Sequence, residues 1–371
     1  MGAALGGLLA LVAILPAQAA ERMLRTEQGR VKLVEVATGL ENPWSLAFLP
    51  DGRMLVTERP GRLRVVTREG TVSPPLPGVP AVHARGQGGL LDVVLSPDFV
   101  QDRTLFLSFA QPTDGGARTA VARARLDLDA MRLEEVEVIF AQNESPGGNL
   151  HWGSRLVFDR AGNLFVTLGD RYHLRERAQW LQSDLGKVVR IRPDGRVPQD
   201  NPFVGRGDAG AHLWSYGHRN VQGAALHPLT GDLWAHEHGP QGGDELNKVL
   251  AGRNYGWPVI TFGREYVIGT RIGEGTARSD VEPPLTQWTP SIAPSGMAFY
   301  TGEVFPQWKG NLFVGALKFQ LVARLVLDGD RVIHEERIDI GQRVRDVRQG
   351  PDGHLWLLEE SEGRILRLDP A

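Results

Sequence analysis

The chain has 371 residues, and Gly 45 with Pro 24 makes 69 turn formers, close to a fifth of the sequence against roughly 12% in an average protein. That density excludes a helical bundle and favours short strands joined by tight turns. With 42% hydrophobic and 23% charged residues wholesale disorder is excluded, and a formal net charge of −3 offers no basic footprint for a nucleic acid. Cys 0 excludes disulfides and thiolate ligands, so any metal must rest on oxygen or imidazole.

From Gly2 to Leu15 the sequence reads GAALGGLLALVAIL, followed by Pro16 and Ala17-Gln18-Ala19-Ala20. A short apolar run ending in small-x-small is the pattern of a secretory signal, here residues 1–20, with cleavage near Ala19 or Ala20. It predicts a periplasmic or secreted protein. No Lys or Arg precedes the run, and a retained anchor is the competing reading, since about 20 weakly apolar residues can span a bilayer. The glycines and the proline make that a poor helix in lipid, and no stable membrane insertion is expected.

Beyond the leader, six segments share one pattern: an apolar strand, a Pro/Asp/Gly turn, and a second apolar strand. They begin at Ser45 (SLAFLPDGRMLVTERPGRLRVV), Leu90 (LLDVVLSPDF), Arg155 (RLVFDRAGNLFVTLGDR), Gly223 (GAALHPLTGDLWAHEHGP), Gly296 (GMAFYTGEVFPQWKGNLFVGALK) and Val344 (VRDVRQGPDGHLWLLEE). The alternation within them has period two, as strands require. Asp51-Gly52, Gly162-Asn163, Gly231-Asp232, Gly310-Asn311 and Asp352-Gly353 supply the positive-φ residues of hairpin turns. Six such units predict an all-β, six-bladed β-propeller with four-stranded antiparallel blades and long inter-blade loops. Residues 171–222 and 256–295 read as the largest insertions, and the propeller is expected to run as one domain over 28–371.

Polar clusters fall at or just beyond strand ends. His151, in Asn149-Leu150-His151-Trp152-Gly153, is a candidate general base because imidazole titrates near neutrality. Asp170, closing Leu168-Gly169-Asp170, is placed to orient it. In Ser215-Tyr216-Gly217-His218-Arg219-Asn220 the planar fork of Arg219 suits an anionic, carbonyl-rich ligand. His236-Glu237-His238-Gly239-Pro240-Gln241-Gly242-Gly243-Asp244-Glu245 is oxygen-rich and turn-rich, which suits Ca²⁺ better than zinc. Lys318, Arg343 and Arg345 add cations near the C-terminus, and Arg343 and Arg345 share a strand face. His151 with these cations recurs at corresponding places in successive repeats, so a ring of positive charge is expected at one end of the channel. Such a ring repels itself unless an anion occupies it.

The motifs GQGGLLDVVLSPDF, NLHWGSRL, LGDR, SDLGKVVRI, YGHRNVQG, EHGPQGGDELN, NYGWP, APSGMAFY, GALK and RVRDV resemble, in order and over nearly the whole mature chain, the soluble pyrroloquinoline quinone (PQQ)-dependent aldose sugar dehydrogenases, or glucose/sorbosone dehydrogenase-like proteins. The resemblance implies PQQ, a tricarboxylate quinone, held by Gln87, Arg219, Asn220, Lys318, Arg343 and Arg345, with Tyr266 as a further contact. It implies Ca²⁺ at the carbonyls of Gly239 and Pro240, and a second Ca²⁺ at Glu245 and the backbone of Tyr255. His151 would remove the proton of the sugar's anomeric hydroxyl as hydride passes to PQQ. Asp170 would partner it, and Arg219 would stabilise charge on the quinone oxygen. An aldonolactone would result, with the electrons passing to an acceptor the sequence does not identify.

Two departures stand out: His238 replaces the Gln of some members before Gly239-Pro240, and residues 286–291, with Trp288, align loosely with the sugar-contacting region. The roles of His236, His238 and Trp288, the preferred sugar, and the oligomeric state, a homodimer included, stay open. A Ca²⁺-dependent propeller lactonase and a non-catalytic propeller that binds glycans or peptides are the alternative readings.

Overall fold

Each repeat opens with a six-residue strand: Pro43–Phe48, Leu90–Leu95, Gly153–Phe158, Val221–Leu226, Pro294–Phe299 and Val344–Gln349. In the computed structural model, which describes residues 21–371, each of these packs against its counterparts in the preceding and following repeats, and the last meets the first. The expected leader at 1–20 lies outside the described residues. Six antiparallel sheets, each led by one of these strands, therefore form a closed ring, a six-bladed β-propeller. No helix among the described residues is long and apolar enough to cross a membrane.

Four blades carry four strands. The first has three, with Val72 bridging onto Val66 at the edge. The last is completed by the N-terminal strand Gly29–Ala37, which pairs with the C-terminal strand Arg364–Pro370, and Glu21–Thr26 adds a fifth strand outside it. Among the described residues the sheet framework thus already includes Glu21–Thr26, ahead of residue 28. The stretches read as insertions also differ from expectation. Residues 171–222 contain two strands of the third blade, Lys187–Ile191 and Leu213–Tyr216, and 256–295 contains the outer strand of the fourth, Thr286–Trp288. The turn glycines Gly52, Gly162, Gly231, Gly310 and Gly353 all have φ between 78° and 84°.

Every innermost strand has a register irregularity near its start, where its pairing with the second strand slips. Such bulges re-aim side chains. The third residues of the six strands are Ser45, Asp92, Arg155, Gly223, Gly296 and Asp346, and several meet at the axis. Arg155 reaches Asp92 at 3.2 Å and Asp346, from the blade opposite, at 3.4 Å. Arg348 reaches the same carboxylates at 3.2 and 2.8 Å, and Ser45 Oγ donates to Asp92 at 2.5 Å. At Gly223 a Cβ would lie 2.1 Å from the buried His236 ring, so only glycine leaves room for that histidine. Charge thus fills the channel at mid-depth, while apolar clusters such as Leu355, Leu357, Leu366, Phe313 and Val322 seal the spaces between blades.

Candidate active site

Because first and second strands are antiparallel, the start of every first strand and the end of every second strand emerge at one face. His151, Arg219, Asn220, Arg343 and Gln87 precede or begin first strands; Arg59, Asp170, His238, Lys318 and Glu360 follow second strands. The topology alone brings these groups to one mouth.

His151 is held on all sides. Its backbone lies in the left-handed region, φ 52°, a costly conformation for a non-glycine residue that surrounding structure must enforce. Its carbonyl passes so near Gly169 that a Cβ there would lie at 2.1 Å, which accounts for the glycine in Leu168-Gly169-Asp170. His151 N–H donates to Gln87 Oε1 at 2.8 Å. Nδ1 lies 2.6 Å from Asp170 Oδ1. The other carboxylate oxygen of Asp170 accepts from Trp257 Nε1 at 2.7 Å, and the Tyr172 N–H donates to Oδ1 at 2.8 Å. Burial pushes the Asp170 carboxyl up, but the hydrogen bond and charge of His151, with Arg219, outweigh it and hold the group below the usual carboxylate range. Asp170 therefore accepts, the proton sits on Nδ1, and Nε2 presents a lone pair. Burial, then the positive charge of Arg219, lowers the His151 pKa against the pull of Asp170, so the ring is neutral at pH 7.

Arg219 is buried, and its Nη1 donates to the carbonyls of His238 at 2.9 Å and Gly239 at 3.0 Å. Its Nη2 lies 3.3 Å from Tyr266 Oη, and the guanidinium stacks 5.3 Å from the Trp257 ring. A cavity of about 260 Å³ opens there, lined by Tyr172, Arg219, Pro240, Trp257 and Tyr266. A neighbouring cavity of about 190 Å³ is lined by Gln87, Asn220, His238, Arg343, Arg345 and, not anticipated from sequence, Arg59 and Glu360. His151 joins the two, through Gln87 on one side and an edge contact to Tyr172 at 5.3 Å on the other.

The expected cation ring is therefore split. Arg219 faces one cavity, while Arg59, Arg343 and Arg345 face the other. Lys318 lies outside both, exposed on the adjoining turn with its ammonium 5.0 Å from the Phe319 ring. Nor is the ring free of negative charge: both Glu360 oxygens accept from Arg345, at 3.1 and 3.0 Å. Even so, Nε of Arg59, Arg219 and Arg345 is buried without a partner among the described residues, so donors remain for an anionic ligand.

His238 Nε2 meets the Pro294 carbonyl at 2.6 Å, and burial drives its pKa down to about 3, so it serves as a neutral wall. His236 is fully buried beside the axis, and Trp288 belongs to the core with Trp234, its Nε1 donating to Glu335 at 2.8 Å. Trp288 is thus unavailable for stacking on a sugar. Of the expected calcium donors, the Gly239 carbonyl is shared with Arg219, and Glu245 and Tyr255 line a separate cavity of about 470 Å³. Burial and the charge of Glu237 push the Glu245 carboxyl well up, and its one side-chain partner among the described residues is Asn247 at 3.4 Å. Among the described residues no three His, Asp or Glu side chains converge as a metal cage. The backbone-rich donor set still matches a hard cation that takes further ligands from elsewhere.

Sequence reasoning missed Arg59, Glu360 and Trp257. Arg59 and Glu360 follow second strands just as His238 and Asp170 do, so aligning the repeats by strand end would have found them. Trp257 stands in the motif NYGWP, and its position against Asp170 becomes visible only in three dimensions.

The chain matches the model of the family described as "Glucose / Sorbosone dehydrogenase" over residues 40–367. It is 47% identical to aldose sugar dehydrogenase YliI of Escherichia coli (strain K12), over 89% of this chain and 91% of that one. The crystal structure of the apo-form of soluble aldose sugar dehydrogenase from Escherichia coli superposes with a TM-score of 0.89 at 44% identity, covering 92% of this chain and 100% of that one. The PQQ-bound form of aldose sugar dehydrogenase from Streptomyces coelicolor superposes with a TM-score of 0.74 at 29% identity, covering 95% and 99%. With the family model matched over residues 40–367 and a relative 47% identical over most of both chains, the chain belongs to the glucose/sorbosone dehydrogenase family.

Proposed function

We propose that this protein is a PQQ- and Ca²⁺-dependent aldose dehydrogenase that oxidises the anomeric carbon of sugars to aldonolactones. The observation that carries the reading is a neutral His151, fixed by Asp170 with Nε2 free, beside cavities whose arginines keep unpartnered buried donors. Relatives named as aldose sugar dehydrogenases, one of them with PQQ bound, support it. When bound, PQQ supplies the two-electron acceptor for a hydride and Ca²⁺ the Lewis acid that polarises its carbonyl.

Arg59, Arg343 and Arg345 would hold carboxylates of the cofactor, with Gln87 and Asn220 as neutral donors; Lys318 would have to swing inward to join them. Gly239 and Pro240 would offer carbonyls to Ca²⁺, and Glu245 with Tyr255 the second Ca²⁺ site. His151 Nε2 takes the proton of the sugar hydroxyl, and Asp170 stabilises the imidazolium that forms. Trp257 keeps Asp170 turned towards His151. Arg219, buried and aimed at the wall beside Pro240, stabilises negative charge that develops there. A calcium lactonase needs carboxylates converging on one ion, whereas the channel carboxylates Asp92 and Asp346 are already engaged by Arg155 and Arg348. The leader-like start supports export, and the propeller as a whole forms the catalytic unit.

The test is reconstitution. Apoprotein given PQQ and Ca²⁺ should reduce a redox dye in the presence of an aldose. His151→Ala should lose about 10³-fold in kcat, within the range for a general base, while still taking up PQQ. Dye reduction without PQQ, or full activity in the variant, would overturn the assignment.

A further inference from the structure

The cavity that faces Arg59, Arg343 and Arg345 already contains an anion of the protein's own. Among its lining residues Glu360 is the only acid. Its two oxygens accept from Arg345 Nη2 at 3.1 and 3.0 Å, Arg343 Nη2 lies 3.4 Å away, and Arg59 Nη2 lies 3.8 Å away. The Glu360 N–H is tied to the Arg343 carbonyl at 3.0 Å, while Ser361 and Glu362 turn out to solvent. Glu360 is thus the one acid of the Glu359-Glu360-Ser361-Glu362 turn directed into the mouth.

We propose that Glu360 is a displaceable counter-anion of the cofactor cavity, holding the three arginines in place until a carboxylate of the quinone takes Arg345 from it. This rests on the PQQ reading given above. The charge balance motivates it. Three guanidiniums and one carboxylate leave the lining at 3 − 1 = +2. A tricarboxylate entering beside a Glu360 still in its place would set its carboxylates against that of Glu360 over the same three guanidiniums, whatever charge Ca²⁺ and Arg219 neutralise at the other cavity. Like charges at that spacing in a screened interior disfavour binding. With Glu360 rotated out along its exposed turn, Arg59, Arg343 and Arg345 are left to the ligand alone.

The same arrangement discriminates among ligands. A monocarboxylate offers Arg345 no more than Glu360 already does, whereas a polycarboxylate gains contacts to Arg59 and Arg343 as well. Glu360 also answers the self-repulsion of the arginine ring in the empty protein, since Arg345, Arg343 and Arg59 together hold its carboxyl below the usual range although burial works the other way. It is a positioning residue, acting on the cofactor through the arginines.

The experiment titrates PQQ, in the presence of Ca²⁺, into the full-length apoprotein and its Glu360→Gln and Glu360→Asp variants. Quenching of tryptophan fluorescence gives Kd, and thermal melts are recorded with and without PQQ. Glu360→Gln should bind PQQ about tenfold more tightly at low salt, a fraction of one full charge interaction at this spacing. Its affinity should fall more steeply with salt, and its apoprotein should melt below the wild type. Glu360→Asp keeps the charge and should stay within about twofold of wild type in Kd, since its repulsion of the ligand is retained. If the wild type binds PQQ and Glu360→Gln binds it no more tightly, the counter-anion role is overturned while the PQQ reading stands. A Glu360→Asp shift as large as that of Glu360→Gln would likewise overturn it, because packing rather than charge would then be responsible. If neither wild type nor variants bind PQQ, both the reading and this inference fail together.

Discussion

Arg155 at the propeller axis and Arg219 and Arg345 at its mouth are all buried, yet they are engaged differently. Arg155 and Arg348 lie between Asp92 and Asp346, with side-chain contacts of 2.8 to 3.4 Å, and neither has an unpartnered buried nitrogen among the described residues. Arg219 and Arg345 each leave a buried Nε without a partner, and Arg345 leans on a single glutamate. A buried charge that is fully matched closes a structure, whereas one left partly unmatched is an open valence for a ligand. The contrast separates the part of the molecule that maintains the ring from the part that acts.

Breaking the axis should have the largest effect. Asp92→Ala leaves Arg155 and Arg348 with only one of their two shared carboxylates, Asp346, and removing one partner of a buried ion pair costs about 3–5 kcal/mol. Chemical denaturation should show a correspondingly lower midpoint, and an unchanged midpoint would mean that the axis network is dispensable. At the mouth the balance should reverse. Arg345→Ala should weaken PQQ binding by about 10- to 100-fold, the value of charged hydrogen bonds of about 1.5–3 kcal/mol, and should move the melting temperature by no more than about 2 °C. A large loss of stability there would erase the distinction drawn between the two regions.

The smallest effect is the pH profile. His151 has a folded pKa below the ordinary 6.5, set first by burial and then by Arg219. As pH falls the base form persists past 6.5 and is then lost, so the acid limb of kcat/KM should have its midpoint below that value. The sign for stability is the same. Below 6.5 the unfolded histidine takes a proton that the folded one refuses, so His151 destabilises the fold increasingly as pH drops towards its folded pKa. A limb centred above 6.5 would place Asp170, not Arg219 and burial, in control of the ring.

The inner strands were legible because period-two alternation and Asp-Gly or Gly-Asn turns coincide in each repeat, and the motif around His151 pointed to Asp170 before any geometry was available. The outer strands of the third and fourth blades were not, because Leu213–Tyr216 and Thr286–Trp288 are only four and three residues long and interrupt Gly- and Pro-rich stretches. Glu360 was hidden for a different reason. In Glu359-Glu360-Ser361-Glu362 the local composition reads as a solvated acidic turn, and only strand-end position distinguishes the one acid that enters the mouth from Glu359, which is buried accepting from the N–H groups of its own turn. Lys318 is read from its strand end as a cofactor contact, and nothing local in the sequence announces that its stem follows the surface beside Phe319.

The pairing of Gly29–Ala37 with Arg364–Pro370 has a consequence for biosynthesis. Gly29–Ala37 has to wait for a strand from the far end of the described residues, so the circle stays open until Arg364–Pro370 has been made. Blades one to five can collapse as they emerge, but the sixth cannot pair with the N-terminal strands before Arg364–Pro370 emerges. A premature stop removing only the final strand would leave a gapped ring with two raw sheet edges, a template for association between chains. Closure of the circle thus hangs on a single strand, however early the other blades have formed.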